Sequence, residues 1–360
     1  MILCGMPLAE LAEELKPLPR FRAVQIFKWI ASGVSDFEKM GNLPLELRKD
    51  LAERYALRPQ FSAEEHSGSD GAAKLAMRAA DGALIEAVLL CDKANRRTAC
   101  LSTQAGCPAA CVFCKTGTNF ARDLDSAEIV EQFLRLRAIA KEAHTKAQRH
   151  EGTKEKPYDS IDAIRPVANI VIMGMGEPLL NLAELRRAID VIGCKEGLNF
   201  SRRRITVSTC GIASGIIDLA HNGPGVRLAL SLTTADEGLR RRLMPITEKE
   251  PLDKVKGALK IFQECGGGRI TLEAVLLGGI NTRSADAQSI AEFASGLDAT
   301  VNLIPWNPVK GLEFEGRPLS EPSAAEVESF KQQLESMGLN VTRRYRRGRG
   351  VAGACGQLGK

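Results

Sequence analysis

From Thr98 onward, six short apolar runs recur: ACLST, NIVIMG at 169–174, RITVST at 204–209, VRLALSL at 226–232, RITLEAVLL at 269–277 and TVNLIP at 300–305. Between them lie amphipathic stretches of helix length, such as SAEIVEQFLRLRAIAKEA and NLAELRRAIDVIGCKEG, with apolar residues three and four apart. Strands joined by helices form a parallel sheet, because a parallel crossover needs a dozen or more residues and turns one way. The expected fold class is therefore α/β, an open or partial barrel of six βα units over residues 98–340. Ligands of such folds gather at the carboxyl ends of the strands.

Residues 1–57 read as short helices (LAELAEEL, FRAVQIFKWIA, LPLELRKDLAERYA) broken by Pro17, Pro19, Gly33 and Gly41. Residues 58–97 read as a β-hairpin link, with KLAMRAADGALIEAVLL turning at Asp81-Gly82. The polar stretch 142–166 reads as a solvated insertion, and 341–360 as a basic C-terminal tail. No run approaches the ~20 apolar residues of a membrane helix, and the N-terminus lacks the pattern of a signal peptide. A cytoplasmic location is expected. Ten cysteines in a reducing compartment point to metal binding or catalysis rather than to disulfides.

Three of those cysteines, Cys107, Cys111 and Cys114, lie in GCPAACVFCKTG directly after the first predicted strand. Three thiolates can hold three irons of a [4Fe-4S] cluster and leave the fourth open to a small molecule. Zinc would need a fourth Cys or His nearby, and the ferredoxin run C-x2-C-x2-C-x3-C-P is absent. The C-x3-C-x2-C spacing, with Phe113 before the last cysteine, resembles the radical S-adenosylmethionine (SAM) motif.

Other strand ends carry polar groups. GMGEPLLN follows NIVIM, where Gly174 and Gly176 permit close approach and Glu177 offers a carboxylate to a cation, although in isolation a tight turn with a helix-start Glu is the favoured reading. Ser208, Ser231, Thr233 and Asn307 stand at later strand tips, each individually compatible with a capping role. Cys355, in GVAGACGQLGK, and Cys100, seven residues before Cys107, are either inert thiols or partners of the same pocket; spacing alone does not choose. Arginines cluster at 202–204, at 240–242 and at 343, 344, 346, 347 and 349, which suits a polyanion. A solvated basic face is the plain alternative for any one cluster.

Together, GCPAACVFCKTG, IVIMGMGEPLLN, NLIPWNP and GACGQL, with the N-terminal PRFRAVQIFKWI, resemble the RlmN/Cfr family of radical SAM RNA methyltransferases over nearly the whole chain. The resemblance implies a partial (β/α)6 radical SAM barrel preceded by a helix-hairpin-helix-like RNA-binding module and a short β extension. It implies cluster ligation by Cys107, Cys111 and Cys114, and SAM contacts at Gly176, Glu177, Ser208, Ser231, Leu232, Thr233 and Asn307. Cys355 matches the methyl-carrying cysteine, Cys100 its disulfide partner and Glu86 the proton acceptor, the last in a segment one residue longer than expected.

The implied chemistry uses two SAM molecules per methyl. One methylates Cys355; the other supplies a 5′-deoxyadenosyl radical that activates the S-methyl group, which adds to an adenine carbon until Cys100 attacks Cys355 and frees the product. Implied partners are 23S rRNA, tRNA and an electron donor such as flavodoxin, acting with a monomer and no membrane. GEPLLN resembles the branch that methylates C2 of adenosine rather than C8, whereas Thr233 replaces a His common in the family. Rival readings are C8 methylation and a catalytically silent Fe-S RNA-binding protein.

Overall fold

The computed structural model describes residues 1–150, 166–344 and 348–359. The N-terminal segment forms helices α1 (Leu8–Glu14), α2 (Arg20–Ser32) and α3 (Leu45–Arg54), as its periodicity requires. Prolines 7, 19 and 44 directly precede the three helices, and Gly33 ends α2 at a φ of 94°. The segment does not stand apart: Leu3, Leu11, Ile26, Phe27 and Met40 belong to the same buried cluster as the barrel strands. At Gly5 the chain passes so close to the start of α4 (Ser126–His150) that a Cβ would lie 2.2 Å from the nitrogen of Ala127.

The link is more than one hairpin. Strands β1 (Phe61–Ser67), β2 (Ala73–Ala79) and β3 (Leu84–Cys91) pair antiparallel in series, and the β2–β3 turn falls at Asp81-Gly82 as expected. β3 then pairs antiparallel with β4 (Arg97–Cys100), so the extension continues the barrel sheet.

A ribbon of β5 (Gln104–Gly106) and β6 (Phe120–Asp123) brackets the cysteine loop. The other predicted strands all form: β7 (Asn169–Ile172), β8 (Ile205–Thr209), β9 (Arg227–Ser231), β10 (Ile270–Leu276) and β11 (Ala299–Pro305). After a small ribbon, β12 (Glu313–Phe314) with β13 (Arg317–Pro318), the chain returns as β14 (Val341–Arg343), parallel to β11. Among the described residues, ten strands make one sheet in the order β1-β2-β3-β4-β7-β8-β9-β10-β11-β14. The parallel part thus gains a seventh strand from the start of the expected tail.

Two further expectations change. Residues 142–150 extend α4 rather than starting a solvated insertion; the rest of that stretch, through 165, lies outside the described residues. Of the arginine clusters, Arg240 is turned fully inward at 0% exposure, while Arg202 pairs with Asp190, Arg241 with Glu237 and Arg242 with Glu315. Positions 346 and 347 and the side chain of Arg349 lie outside the described residues.

Candidate active site

Side chains alternate across each parallel strand, and the inward set lines a cavity of about 520 Å³ at the mouth of the sheet. Into it come Cys100 from β4, Ser208 from β8, Ser231 from β9, Glu273 from β10 and Asn307 just after β11. The cysteine loop and residues 353–358 close it from above, so Cys107, Cys111, Cys114 and Cys355 line the same space.

The loop is held by backbone geometry. Gly106, at a φ of 86°, runs so near the opposite strand that a Cβ would meet the carbonyl oxygen of Asn119 at 2.0 Å. Cys107 N–H donates to Asn119 O (2.9 Å), Cys114 N–H to Cys111 O (3.1 Å) and Val112 N–H to Leu243 O (3.0 Å). The C-terminal segment is stitched over this loop. Lys115 N–H donates to Gly356 O at 2.9 Å, and the Thr116 hydroxyl to Leu358 O at 2.8 Å. Trp306, beneath, donates its indole N–H to Phe113 O at 2.8 Å.

Burial raises the thiol pKa values of all three loop cysteines, that of Cys107 to about 12. Buried thiolates therefore need a cationic neighbour. A [4Fe-4S] cluster supplies that charge, so the donor set fits the group.

Glu177 is buried, which raises its carboxyl pKa, yet both oxygens are engaged: one accepts from Cys210 N–H (2.7 Å), the other from Leu179 N–H (3.0 Å). It caps the turn at Pro178–Leu180 and also faces the cavity, so both readings of this residue hold together. Gly176, at a φ of 108°, has no room for a side chain, since a Cβ would meet Cβ of Gln104 at 2.7 Å.

Ser208 and Ser231 place their hydroxyl oxygens 3.2 Å apart. Thr233 occupies a left-handed backbone conformation, φ 63°, which a β-branched residue adopts only under strain. Its buried hydroxyl and the buried Oδ1 of Asn307 have no hydrogen-bond partner, although both residues line the cavity. Unpaired buried polar atoms cost ~1–3 kcal/mol each, so these two mark where a polar ligand is expected. An amino acid group such as that of SAM can donate to both.

Two expected residues lie elsewhere. Leu232 does not line the cavity; its side chain is in the main core and its carbonyl accepts from Arg240 Nε at 3.2 Å. Glu86 is 1% exposed and also stands behind the wall, with Lys74 Nζ at 3.0 Å on one oxygen and Gly359 N–H at 2.7 Å on the other. Glu86 sits on a strand, β3, whose inward side cannot be read from pattern alone because both faces are buried, and Leu232 lies just past the end of β9.

The cavity also contains residues that sequence reasoning passed over. Arg344, just after β14, lies 3.6 Å from Glu273 and has its pKa raised by Cys355 first, against burial, then by Glu273 and Cys100. One guanidinium thus faces both candidate redox thiols. Cys210 follows the β8 tip; its N–H goes to Glu177 and its carbonyl accepts from Arg240 at 2.6 Å. Arg240 hydrogen-bonds only neutral acceptors, including Thr247 Oγ1 at 2.7 Å, and burial lowers its pKa. A strand-tip Cys and a buried acid within a strand were visible signals; a buried Arg in an apparently solvated cluster was not.

Two family models match, the radical SAM superfamily over residues 101–287 and the ribosomal RNA large subunit methyltransferase N-terminal domain over residues 3–57. Proteins described as probable dual-specificity RNA methyltransferase RlmN are 48% identical over 341 residues in Treponema denticola (94% of this chain, 90% of that one) and 45% over 342 in Treponema pallidum strain Nichols (95% and 92%). The chain belongs to the RlmN family of radical SAM RNA methyltransferases. Its fold agrees: a radical SAM methyltransferase from Sphaerobacter thermophilus superposes with a TM-score of 0.88 at 37% identity, covering 99% of each chain. Membership in the RlmN family carries with it a [4Fe-4S] cluster and SAM. It also accounts for the pairing of a helical N-terminal segment with a cysteine-loop barrel.

Proposed function

We propose that this RlmN-family chain methylates a base carbon of adenosine, C2 in preference to C8, in 23S rRNA and in tRNA. The observation that carries the proposal is that Cys100 and Cys355 share one cavity with Cys107, Cys111 and Cys114, with Arg344 facing both of the former. An RNA-binding protein with a purely structural cluster has no use for that second pair of thiols.

Cys107, Cys111 and Cys114 would hold the cluster, and Gly176, Glu177, Ser208, Ser231, Thr233 and Asn307 would border SAM. Bound there, cluster and SAM supply a carbon radical able to take hydrogen from a methyl group, which an adenine C–H carbon needs because polar methyl transfer does not reach it. Cys355 accepts a methyl at sulfur and presents it to the base. Once that methyl carbon is joined to the base, Cys100 attacks the Cys355 sulfur. The S–S bond forms as the bond from that sulfur to the transferred carbon breaks, and the carbon takes up a proton as the methylated base leaves. Arg344 stabilises whichever of the two sulfurs is anionic.

The proton of the base carbon goes to Glu86. A proton acceptor must come within hydrogen-bond reach; Glu86, behind the cavity wall and held by Lys74 Nζ and Gly359 N–H, would serve only once its bond to Gly359, on the segment that carries Cys355, opens.

GEPLLN supports C2, and the dual-specificity name of the relatives supports both RNAs. Residues 1–57 are assigned to RNA binding, in a cytoplasmic monomer that draws electrons from a flavodoxin-like donor. No helix among the described residues is long and apolar enough to cross a membrane. The test is one anaerobic reaction of reduced protein with labelled SAM and each RNA, the digests compared with 2- and 8-methyladenosine. Only 8-methyladenosine would overturn the regiochemistry, and RNA binding with no 5′-deoxyadenosine would overturn the enzyme.

A further inference from the structure

A second cavity, about 1090 Å³, lies where the helical segment and the start of β1 meet α4. Five cationic side chains line it, Arg58, Arg78, Arg135, Arg137 and Lys141, against two carboxylates, Asp36 and Glu131. Glu131 must serve two of them, with Arg58 and Arg135 each 2.6 Å from one of its oxygens. Asp36 is committed to capping Glu38 N–H.

That leaves Arg137 and Lys141 without a carboxylate among the described residues. They stand four residues apart on α4 and so face the same way. Burial disfavours the charge on both, and Arg137 disfavours it further on Lys141. Among the described residues, the Arg137 guanidinium donates only to a neutral carbonyl, Ala31 O at 2.9 Å. Like charges held together in a groove without a counterion make a site for an anion.

The groove is not isolated. Arg78 also lines a third cavity, of about 450 Å³, together with Lys115 and with Arg122, which is paired with Asp81 and Glu128, and Thr116 is shared between that cavity and the catalytic one. A basic path therefore runs from the cluster loop, past the Asp81-Gly82 turn, to α4. Along α4 the groove runs from Glu131 to Lys141, about 15 Å at 1.5 Å per residue.

We infer that this path is a phosphate-backbone track on which Arg137 and Lys141 grip RNA away from the modified base. The inference rests on the proposed RNA substrate. An acidic redox protein could also meet a basic groove, but it would have no need of continuity with the cavity that receives the base.

The experiment uses the cluster-loaded enzyme and two RNAs: a long rRNA fragment, and a minimal stem-loop around the target adenosine too short to reach α4. Arg137→Glu/Lys141→Glu should bind the long fragment at least tenfold more weakly, with the salt slope shallower by roughly one to two ions. Stem-loop affinity and methylation of Cys355 should stay as in the parent. Lys141→Glu alone, on an exposed side chain, should show a smaller loss of the same kind and guards against misfolding through Arg137. Unchanged affinity for the long fragment, equal loss for both RNAs, or a defect confined to reduction by flavodoxin would each overturn the track. If the parent enzyme forms no methyladenosine, the catalytic reading fails while the binding comparison still decides the track.

Discussion

Asn307 donates its side-chain amide N–H to the backbone carbonyl of Cys355 at 3.1 Å, while its own Oδ1 is buried without a partner. One residue thus tethers Cys355, proposed to carry the methyl, and offers an acceptor to the cavity. Asn307→Leu removes both functions, at a cost of about 1–3 kcal/mol or roughly 5- to 150-fold in rate. Mass spectrometry of Cys355 after incubation with SAM should show slower methylation with cluster content unchanged. Methylation at the parent rate would place the tether outside the reaction.

The shared environment of Cys100 and Cys355 predicts a trapped state. Cys100→Ala should still let Cys355 take up a methyl and join the base, then stall as a covalent enzyme–RNA adduct, visible as a shifted band resistant to denaturant. Free methyladenosine from this variant would remove Cys100 from the resolving role.

Lys74 and Glu86 form an ion pair in which both side chains are almost fully buried. Removing one partner strands the other, so Lys74→Met should cost ~3–5 kcal/mol, read as a lower urea midpoint. Glu86→Gln keeps a hydrogen-bonding group and should fold better than Lys74→Met. It should also methylate Cys355 normally and lose at least ~100-fold in product release if Glu86 takes the base proton. Product release at the parent rate would confine Glu86 to anchoring Gly359.

Burial raises the Cys100 thiol from 9 to about 12. Folding therefore favours the neutral form: this contribution to stability is complete below pH 9 and is lost as pH climbs from 9 through about 12. In iron-free reduced protein, the drop in urea midpoint between pH 8 and 10.5 should be smaller for Cys100→Ala than for the parent. Identical drops would mean that the thiol titrates as if exposed.

Alternating strand and helix periods were enough to place β4 and β7–β11, since a parallel sheet buried on both faces demands continuous apolar runs. The short strand Val341–Arg343 escaped because three residues carry no period and one of them is an arginine. The helical start of 142–150 escaped for a related reason: a helix end of polar sequence lacks the apolar stripe by which helices are recognised. In the site, the three loop cysteines were legible from spacing, and Cys100 and Cys355 only from resemblance. Cys210 and Glu273 offered local signals, a Cys at a strand tip and an acid within a strand, but neither they nor Arg344 could be aimed into the cavity without the assembled sheet.

By itself, the sequence determined the order of elements and the cysteine loop, because periodicity and ligand spacing are properties of neighbouring residues. Tertiary structure alone decided which thiols share a cavity. Cys355 comes to line the same cavity as Cys100 because β14 closes the sheet beside β11 and the following segment folds back, through Lys115–Gly356 and Thr116–Leu358, onto the cysteine loop. It also decided that Arg240 faces inward and that Arg137 and Lys141 share one groove. Such long-range pairings depend on packing and charge balance, which no local pattern encodes.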